Sequence, residues 1–274
     1  TGARTGVAAL VTASMVILTL MALTKLLFYL PNNALAAIVL SAVSGLFDYT
    51  EFQFLWKVSK KDCLLWTVSC LGTMFLGIEL GIAIAVGISL AFVIYETARP
   101  HTAELGRIPG TTVYRSSIQY PDAQTVEGII VLRVDAPIYF ANVDYIKDKL
   151  REFEKFAGDR SQSIAANLNR DAVGLRFVII EMSPVTSIDA TGIHALREIV
   201  SEYKTRGIQI AISNPSRKVI EQMEKADLPN MIGREMMFLG VHDAVITCTA
   251  NMDGSAHGRP SHYSTMASNG GSGS

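Results

Sequence analysis

The sequence predicts a mixed architecture, an α-helical membrane block followed by an α/β domain. Three observations carry this. Residues up to Tyr95 consist mainly of long apolar runs, whereas the remainder alternates apolar and polar positions. The stretch Cys63 to Tyr95 holds one charged residue, Glu79. After Gly128 the apolar pattern switches back and forth between a strand-like period of two and a helix-like period of 3.6.

Length decides how Cys63–Tyr95 is divided. As one helix it would run about 50 Å at ~1.5 Å per residue, against a hydrocarbon core of about 30 Å. The sequence Gly77-Ile78-Glu79-Leu80-Gly81 lies at its middle, so two short helices with a tight turn are expected; one long tilted helix is the alternative. A charge at the bilayer centre costs roughly 3 kcal/mol, which a carboxylate at a turn largely avoids. Glu79 is read as a structural acid at a helix end, with proton coupling as the functional alternative. Gly77 and Gly81 form a small-xxx-small pair that lets helices approach, and Gly72 and Gly87 add to it.

The earlier spans follow the same logic. Thr5–Leu30 is a first span, with Lys25 near its end and Phe28 and Tyr29 beside Pro31 as interface aromatics. Asn33–Phe47 is a second, short and alanine-rich, with Ser41, Ser44 and Gly45 suited to packing inside a bundle. Lys57, Lys60 and Lys61 fall between spans two and three; Arg4 precedes the first span, and Arg99 and Arg107 follow the fourth. The turns at Asn32-Asn33 and near Glu79 carry no Lys or Arg. Four spans return both ends to one side, and the basic residues make that side cytoplasmic.

Composition excludes several classes. A net charge of -1 over 274 residues gives no field for nucleic acid. Cys63, Cys70 and Cys248 show neither metal spacing nor a disulfide framework. There is no Gly-rich phosphate loop and no Ser-His-Asp set, and His101, His194, His242, His257 and His262 are scattered, so neither an enzyme nor a metal or cofactor site is expected. The chain begins at Thr1 without a signal peptide, close to an apolar run, and is expected to be part of a longer protein.

Beyond Arg99-Pro100, which ends the fourth helix, residues 99–127 read as a linker with a lead-in strand. An α/β domain is expected over 128–250. Its strands are Ile129–Val134, Phe177–Met182 and Ile208–Ser213, with a short one at Met236–Leu239. Asn142 caps a helix whose inner face is Val143, Ile146, Leu150 and Phe153; Gly158–Gly174 reads as a flexible insertion. Ala190–Arg206, a helix from Asn214-Pro215-Ser216, and Val241–Thr249 complete a parallel-leaning sheet with helices against it. The tail 251–274 is polar and linker-like.

The turn Ser183-Pro184-Val185-Thr186-Ser187-Ile188-Asp189-Ala190-Thr191-Gly192 carries the candidate site. Asp189 is placed to cap the helix that follows, and Thr191 lies in its first turn, where free N–H groups favour an anion. A plain cap and a phosphorylation site are both open on these grounds.

Ile188-Asp189-Ala190-Thr191-Gly192 resembles the signature of STAS domains, in whose anti-sigma-factor antagonists the hydroxyl residue before the glycine is phosphorylated; Thr191 matches it. With Leu35–Leu46, Phe75–Gly81, Pro109–Arg115, Ile138–Asn142 and Glu181–Val185, the chain is similar to the SulP family of anion transporters with a C-terminal STAS domain, and within it to plant sulfate transporters of the vacuolar group. The resemblance implies an inverted-repeat membrane domain of fourteen segments, of which residues 1–98 would be the last four. It implies proton-coupled sulfate transport, with bicarbonate, chloride or molybdate as alternative anions, and a homodimer through the STAS domains and terminal membrane segments. The substrate site would lie upstream of Thr1, so no substrate-binding residue is assigned here; Arg4 is read as a surface residue. A membrane-anchored STAS module recruiting a cytosolic partner is the competing reading. The protein would be integral to a vacuolar or plasma membrane, with STAS cytosolic, and the STAS part would not itself bind sulfate.

Overall fold

The computed structural model describes residues 7–22, 31–46, 49–169 and 171–254. Arg4, Lys25, Phe28, Tyr29, Phe47, His257, His262 and most of the tail lie outside the described residues. The chain divides into two compact units, Thr1–Ser89 and Leu90–Ser274.

The first unit is helical: α1 (Val7–Ala22), α2 (Asn32–Leu46), α3 (Tyr49–Val58), α4 (Lys60–Leu76) and the start of α5 (Ile78–Ala98). No residue of α1 is buried, and Leu10 and Met21 are among many large apolar side chains left open. Such a surface is stable against lipid or other apolar helices and not against water. Helix α5 is long and apolar enough to cross a bilayer. The lysine-bearing segment expected as a loop holds α3, an amphipathic helix with Glu51 in its first turn and Lys57 in its last. It packs on α4 through Phe52 and Trp66, with ring centroids 5.5 Å apart.

The break in the apolar stretch falls at Gly77 alone, in a left-handed conformation (φ 87°). Glu79 is exposed in the first turn of α5, where the helix dipole favours a carboxylate. Gly81 belongs to α5 and not to the turn. A Cβ built on Gly81 would lie 2.3 Å from the Thr73 nitrogen and 2.6 Å from the Gly72 carbonyl carbon. In one continuous helix positions 72 and 81 would stand about 13 Å apart, so the chain reverses. The close-packed pair is therefore Gly72 with Gly81 across the hairpin, and not Gly77 with Gly81. Gly87 meets nothing within 4 Å.

The second unit holds a six-stranded sheet ordered β2-β1-β3-β4-β5-β6. Its strands are β1 (Thr102–Arg107), β2 (Tyr114–Ser116), β3 (Ile129–Val134), β4 (Phe177–Glu181), β5 (Gln209–Ser213) and β6 (Met237–Phe238). From β3 to β6 the pairing is parallel; β1 runs antiparallel to both β2 and β3. Residues 99–127 thus supply two strands. The helices are α6 (Val143–Leu168), α7 (Ala190–Thr205), α8 (Arg217–Lys225), α9 (Leu228–Ile232) and α10 (Val241–Met252). Ile130, Leu132, Val178, Ile180, Ile210 and Ile212 pack on one face under α6 to α9. Ile129, Val131, Phe177, Ile179 and Ala211 pack on the other under α10.

Helix α6 does not stop before Gly158. It runs through the segment expected to be a flexible insertion, because Ser161 and Ala165 are buried and Asn169 closes it in a left-handed turn. Burial on one face outweighs the ~1 kcal/mol cost of a helical glycine. Glu154 on α6 accepts hydrogen bonds from Tyr203 (3.0 Å) and from Nη1 of Arg206 (3.1 Å), tying α6 to the end of α7. Burial acts to raise the Glu154 carboxyl, but the hydrogen bonds from Arg206 and Tyr203 outweigh it and hold the group below the usual carboxylate range.

Two outcomes are expected. Gly81→Leu should abolish the hairpin, read as loss of monodisperse protein in detergent, whereas Gly87→Leu should be tolerated. Because the folded-state value of Glu154 is depressed, its contribution is present above the unfolded value and lost as pH falls through the folded one. Acid unfolding profiles of wild type and Glu154→Gln should therefore differ above the unfolded value and converge below the folded one.

Candidate functional site

The candidate site is where α7 begins. Asp189 is its N-cap, and its Oδ1 accepts from the Gly192 amide at 2.6 Å. Its Oδ2 accepts from the Phe140 amide at 3.1 Å. One carboxylate thus satisfies an orphan helix donor and ties down a loop forty-nine positions earlier. Asp189, Thr191 and Gly192 are brought together in one turn, as the sequence implied. Thr191 is exposed in the first turn of α7, while Gly192 is buried. A Cβ on Gly192 would meet Ile188 Cγ1 at 2.8 Å and the Ile138 carbonyl oxygen at 3.0 Å. The glycine is required by close approach and not by an unusual φ.

The facing loop is Ile138–Asn142. Ile138 and Ile188 form a parallel bridge. The Ile138 amide donates to Ser187 O, and the Asp189 amide to Ile138 O. Asn142, expected as a side-chain cap, precedes α6 but does not cap it. It is fully buried; its Oδ1 accepts from the Tyr139 amide at 3.0 Å and its Nδ2 donates to Pro137 O at 2.8 Å. Its own backbone is already helical (φ -118°, ψ -4°), so its side chain serves the preceding turn instead. Tyr139 then reaches back, its hydroxyl donating to Thr97 O in α5 at 3.2 Å. The Asp189–Phe140 and Tyr139–Thr97 hydrogen bonds, joined through the Tyr139-Phe140 peptide, link the start of α7 to the last turn of α5. Nothing in the spacing of residues 97, 139 and 189 announces this contact.

His194 is exposed on α7. Among the described residues no cluster of three or more His, Cys, Asp or Glu side chains could hold a metal.

The arrangement is that of an integral membrane protein with an α/β domain of the STAS type. The sulfate permease family profile matches residues 1–69 and the STAS domain profile residues 120–244. A protein of Arabidopsis thaliana named "Probable sulfate transporter 4.2" is 52% identical over 246 residues, 90% of this chain and 36% of its own length. "Sulfate transporter 4.1, chloroplastic" from the same plant is 51% identical over 90% of this chain and 35% of its length. The murine Solute Carrier 26 family member A9 anion transporter, solved in an inward-facing state, superposes with a TM-score of 0.68 at 28% identity, covering 91% of this chain and 38% of that one. The chain belongs to the sulfate permease family and carries its STAS domain. It spans little more than a third of the length of these relatives.

Gly192→Ala should destabilise the domain by about 1–3 kcal/mol through the clash with Ile138 and Ile188. Asp189→Ala should cost about 1–2 kcal/mol through the lost cap, and Thr191→Ala, at an exposed position, less than about 0.5 kcal/mol. Urea unfolding followed by tryptophan-independent circular dichroism would check the ranking.

Proposed function

We propose that the full-length protein containing this chain is a secondary active sulfate transporter coupled to protons. The observation that carries the reading is the joint match, along one chain, of the sulfate permease profile to membrane helices and of the STAS profile to the domain behind them. Sulfate is the substrate named for both plant relatives. In this reading residues 1–98 are terminal segments of the transport domain, 99–127 lead into the STAS domain at 128–250, and the STAS domain faces the cytosol on the side of Lys57, Lys60 and Lys61. The protein acts as a homodimer through the STAS domains and terminal membrane segments.

The STAS domain regulates, and Thr191 is its phosphorylation site. A phosphate there adds close to two negative charges beside Asp189. It competes with the Asp189 carboxylate for the α7 amides and repels it, loosening the Asp189–Phe140 link. The hydrogen bond from Tyr139 to Thr97 supports transmission toward α5. Glu79 serves as a structural acid at a helix start.

Labelled sulfate uptake into vesicles containing the full-length protein tests this. Uptake driven by an inward proton gradient and collapsed by a protonophore is expected. Thr191→Glu should alter the uptake rate several-fold without unfolding the protein, and phosphopeptide mass spectrometry should place phosphate on Thr191. Sulfate uptake indifferent to the gradient would reject the coupling; phosphate found on other residues and never on Thr191 would reject the switch.

A further inference from the structure

A carboxyl group is buried on the opposite face of the sheet, under α10. Alternation along β4 puts Glu181 on the face of Phe177 and Ile179, and alternation along β5 puts Ser213 on the face of Ala211. Strand register places Glu181 directly beside Ser213, with Arg133 of β3 on its other side. Glu181 is only 4% exposed and Ser213 is fully buried.

Oε1 of Glu181 accepts from the Ser183 amide (3.0 Å) and from Nδ2 of Asn214 (3.2 Å). Its Oε2 has no partner among the described residues, nor has the Ser213 hydroxyl, and neither atom reaches solvent. A buried polar atom left unsatisfied costs about 1–3 kcal/mol, more when charged. Two such atoms, on paired positions of neighbouring strands, call for one shared hydrogen. A protonated carboxyl can give it, and the Ser213 oxygen is an acceptor with nothing bound to it.

The charges around Glu181 supply no other donor. Arg133 is taken by Asp135, at 2.6 Å through Nε and 3.0 Å through Nη2, and Asp135 also meets His101. Arg115 of β2 and His242 and Asp243 of α10 line the adjacent crevice, and the Tyr114 hydroxyl stands 3.4 Å from His242. The buried Oε2 does not open onto that crevice. Burial is the largest influence on the Glu181 carboxyl and raises it above the usual carboxylate range, with Asp135 adding to the rise. The Asn214 and Ser183 hydrogen bonds and the charge of Arg133 oppose this without outweighing it.

We propose that Glu181 is a proton-binding site of the STAS domain, which when neutral donates from Oε2 to Ser213 and holds the Ser183 amide through Oε1. When ionised it has no donor in place for Oε2, and it gives up its hold on Ser183 to reach water. Ser183 opens the loop that runs to Asp189 and the start of α7. Its neighbours Met182 and Val185 are fully buried and joined by a backbone hydrogen bond of 2.9 Å, so Glu181 fixes the one exposed bend between two anchored side chains. Proton occupancy of Glu181 thereby sets how firmly the segment leading to the Asp189 turn is held. The proton comes from the cytosol if the domain faces it, as proposed above; the site itself can be measured whether or not the protein moves sulfate.

Hydrogen exchange of the detergent-solubilised full-length protein tests this, read by mass spectrometry in peptides covering Ser183 between pH 5 and 8 and corrected for the intrinsic rate. The folded-state value of Glu181 is raised, so its contribution is present below the unfolded value and lost as pH rises through the folded one. Protection of the Ser183 amide should fall by up to about tenfold per pH unit until the carboxyl is ionised and then level off. Glu181→Gln keeps the shape, donates to Ser213 from Nε2 and cannot ionise, so its protection should stay at the low-pH level of the wild type. Ser213→Ala removes the acceptor for the proton, and protection should begin to fall at lower pH than in the wild type. Peptides of α6 serve as the reference and should show no such step. A flat wild-type profile, a step that Glu181→Gln retains, or an onset that Ser213→Ala leaves unmoved overturns the assignment; should Glu181→Gln fail to fold, the wild-type profile and the Ser213→Ala onset decide it.

Discussion

The second unit depends on a missing side chain. Gly192 lets the first turn of α7 rest against Ile138 and Ile188 at a separation no Cβ allows. That approach brings the Asp189 carboxylate within reach of two amides at once, its own helix's and that of Phe140. The Ile138 loop is then fixed by backbone bonds to Ser187 and Asp189, and by the buried Asn142 within its own turn. Helix start and loop are positioned against each other by this contact, which the Asp189–Phe140 bond and the Ile138 backbone bonds span.

The membrane unit uses the same device for a different reason. In hydrocarbon there is no hydrophobic gain in joining two apolar helices, so association rests on close packing. Gly72 and Gly81 provide it, with backbone against backbone. The left-handed turn at Gly77 supplies the reversal, and Glu79 sits at the start of α5, where its charge is favoured. Glycine thus serves as a hinge at one position and as a contact at two others.

Among the described residues of the second unit two carboxylates are buried, Glu104 within β1, held by Arg160 at 2.7 Å, and Glu181 at the end of β4. Arg133 is held by Asp135 at 2.6 Å, and Asp135 in turn meets His101 at 2.8 Å. Glu181, one strand across, has no such cation in contact and accepts from an amide and an asparagine instead. A charge on the sheet needs a donor that no strand can offer, and for Glu104 that donor is Arg160 on α6. At the carboxyl ends, loops and helix starts supply donors, and polar side chains become tolerable there.

The sequence by itself determined the membrane block, the order of strands and helices, and the inward faces of α6 and α7, because apolar periodicity and charge depletion are local properties. Asp189, Thr191 and Gly192 were legible as a cap and a first turn for the same reason. What tertiary structure decided is everything that depends on distance between segments far apart in the chain. Residues 102–107 became a strand because β3 offered an edge to pair with. Residues 158–168 stayed helical because Ser161 and Ala165 found a surface to bury against. Asn142 turned from capping to bracing a loop, and Tyr139 found Thr97. Gly81 proved to be a contact and not a turn, since only folding reveals which backbone a glycine faces.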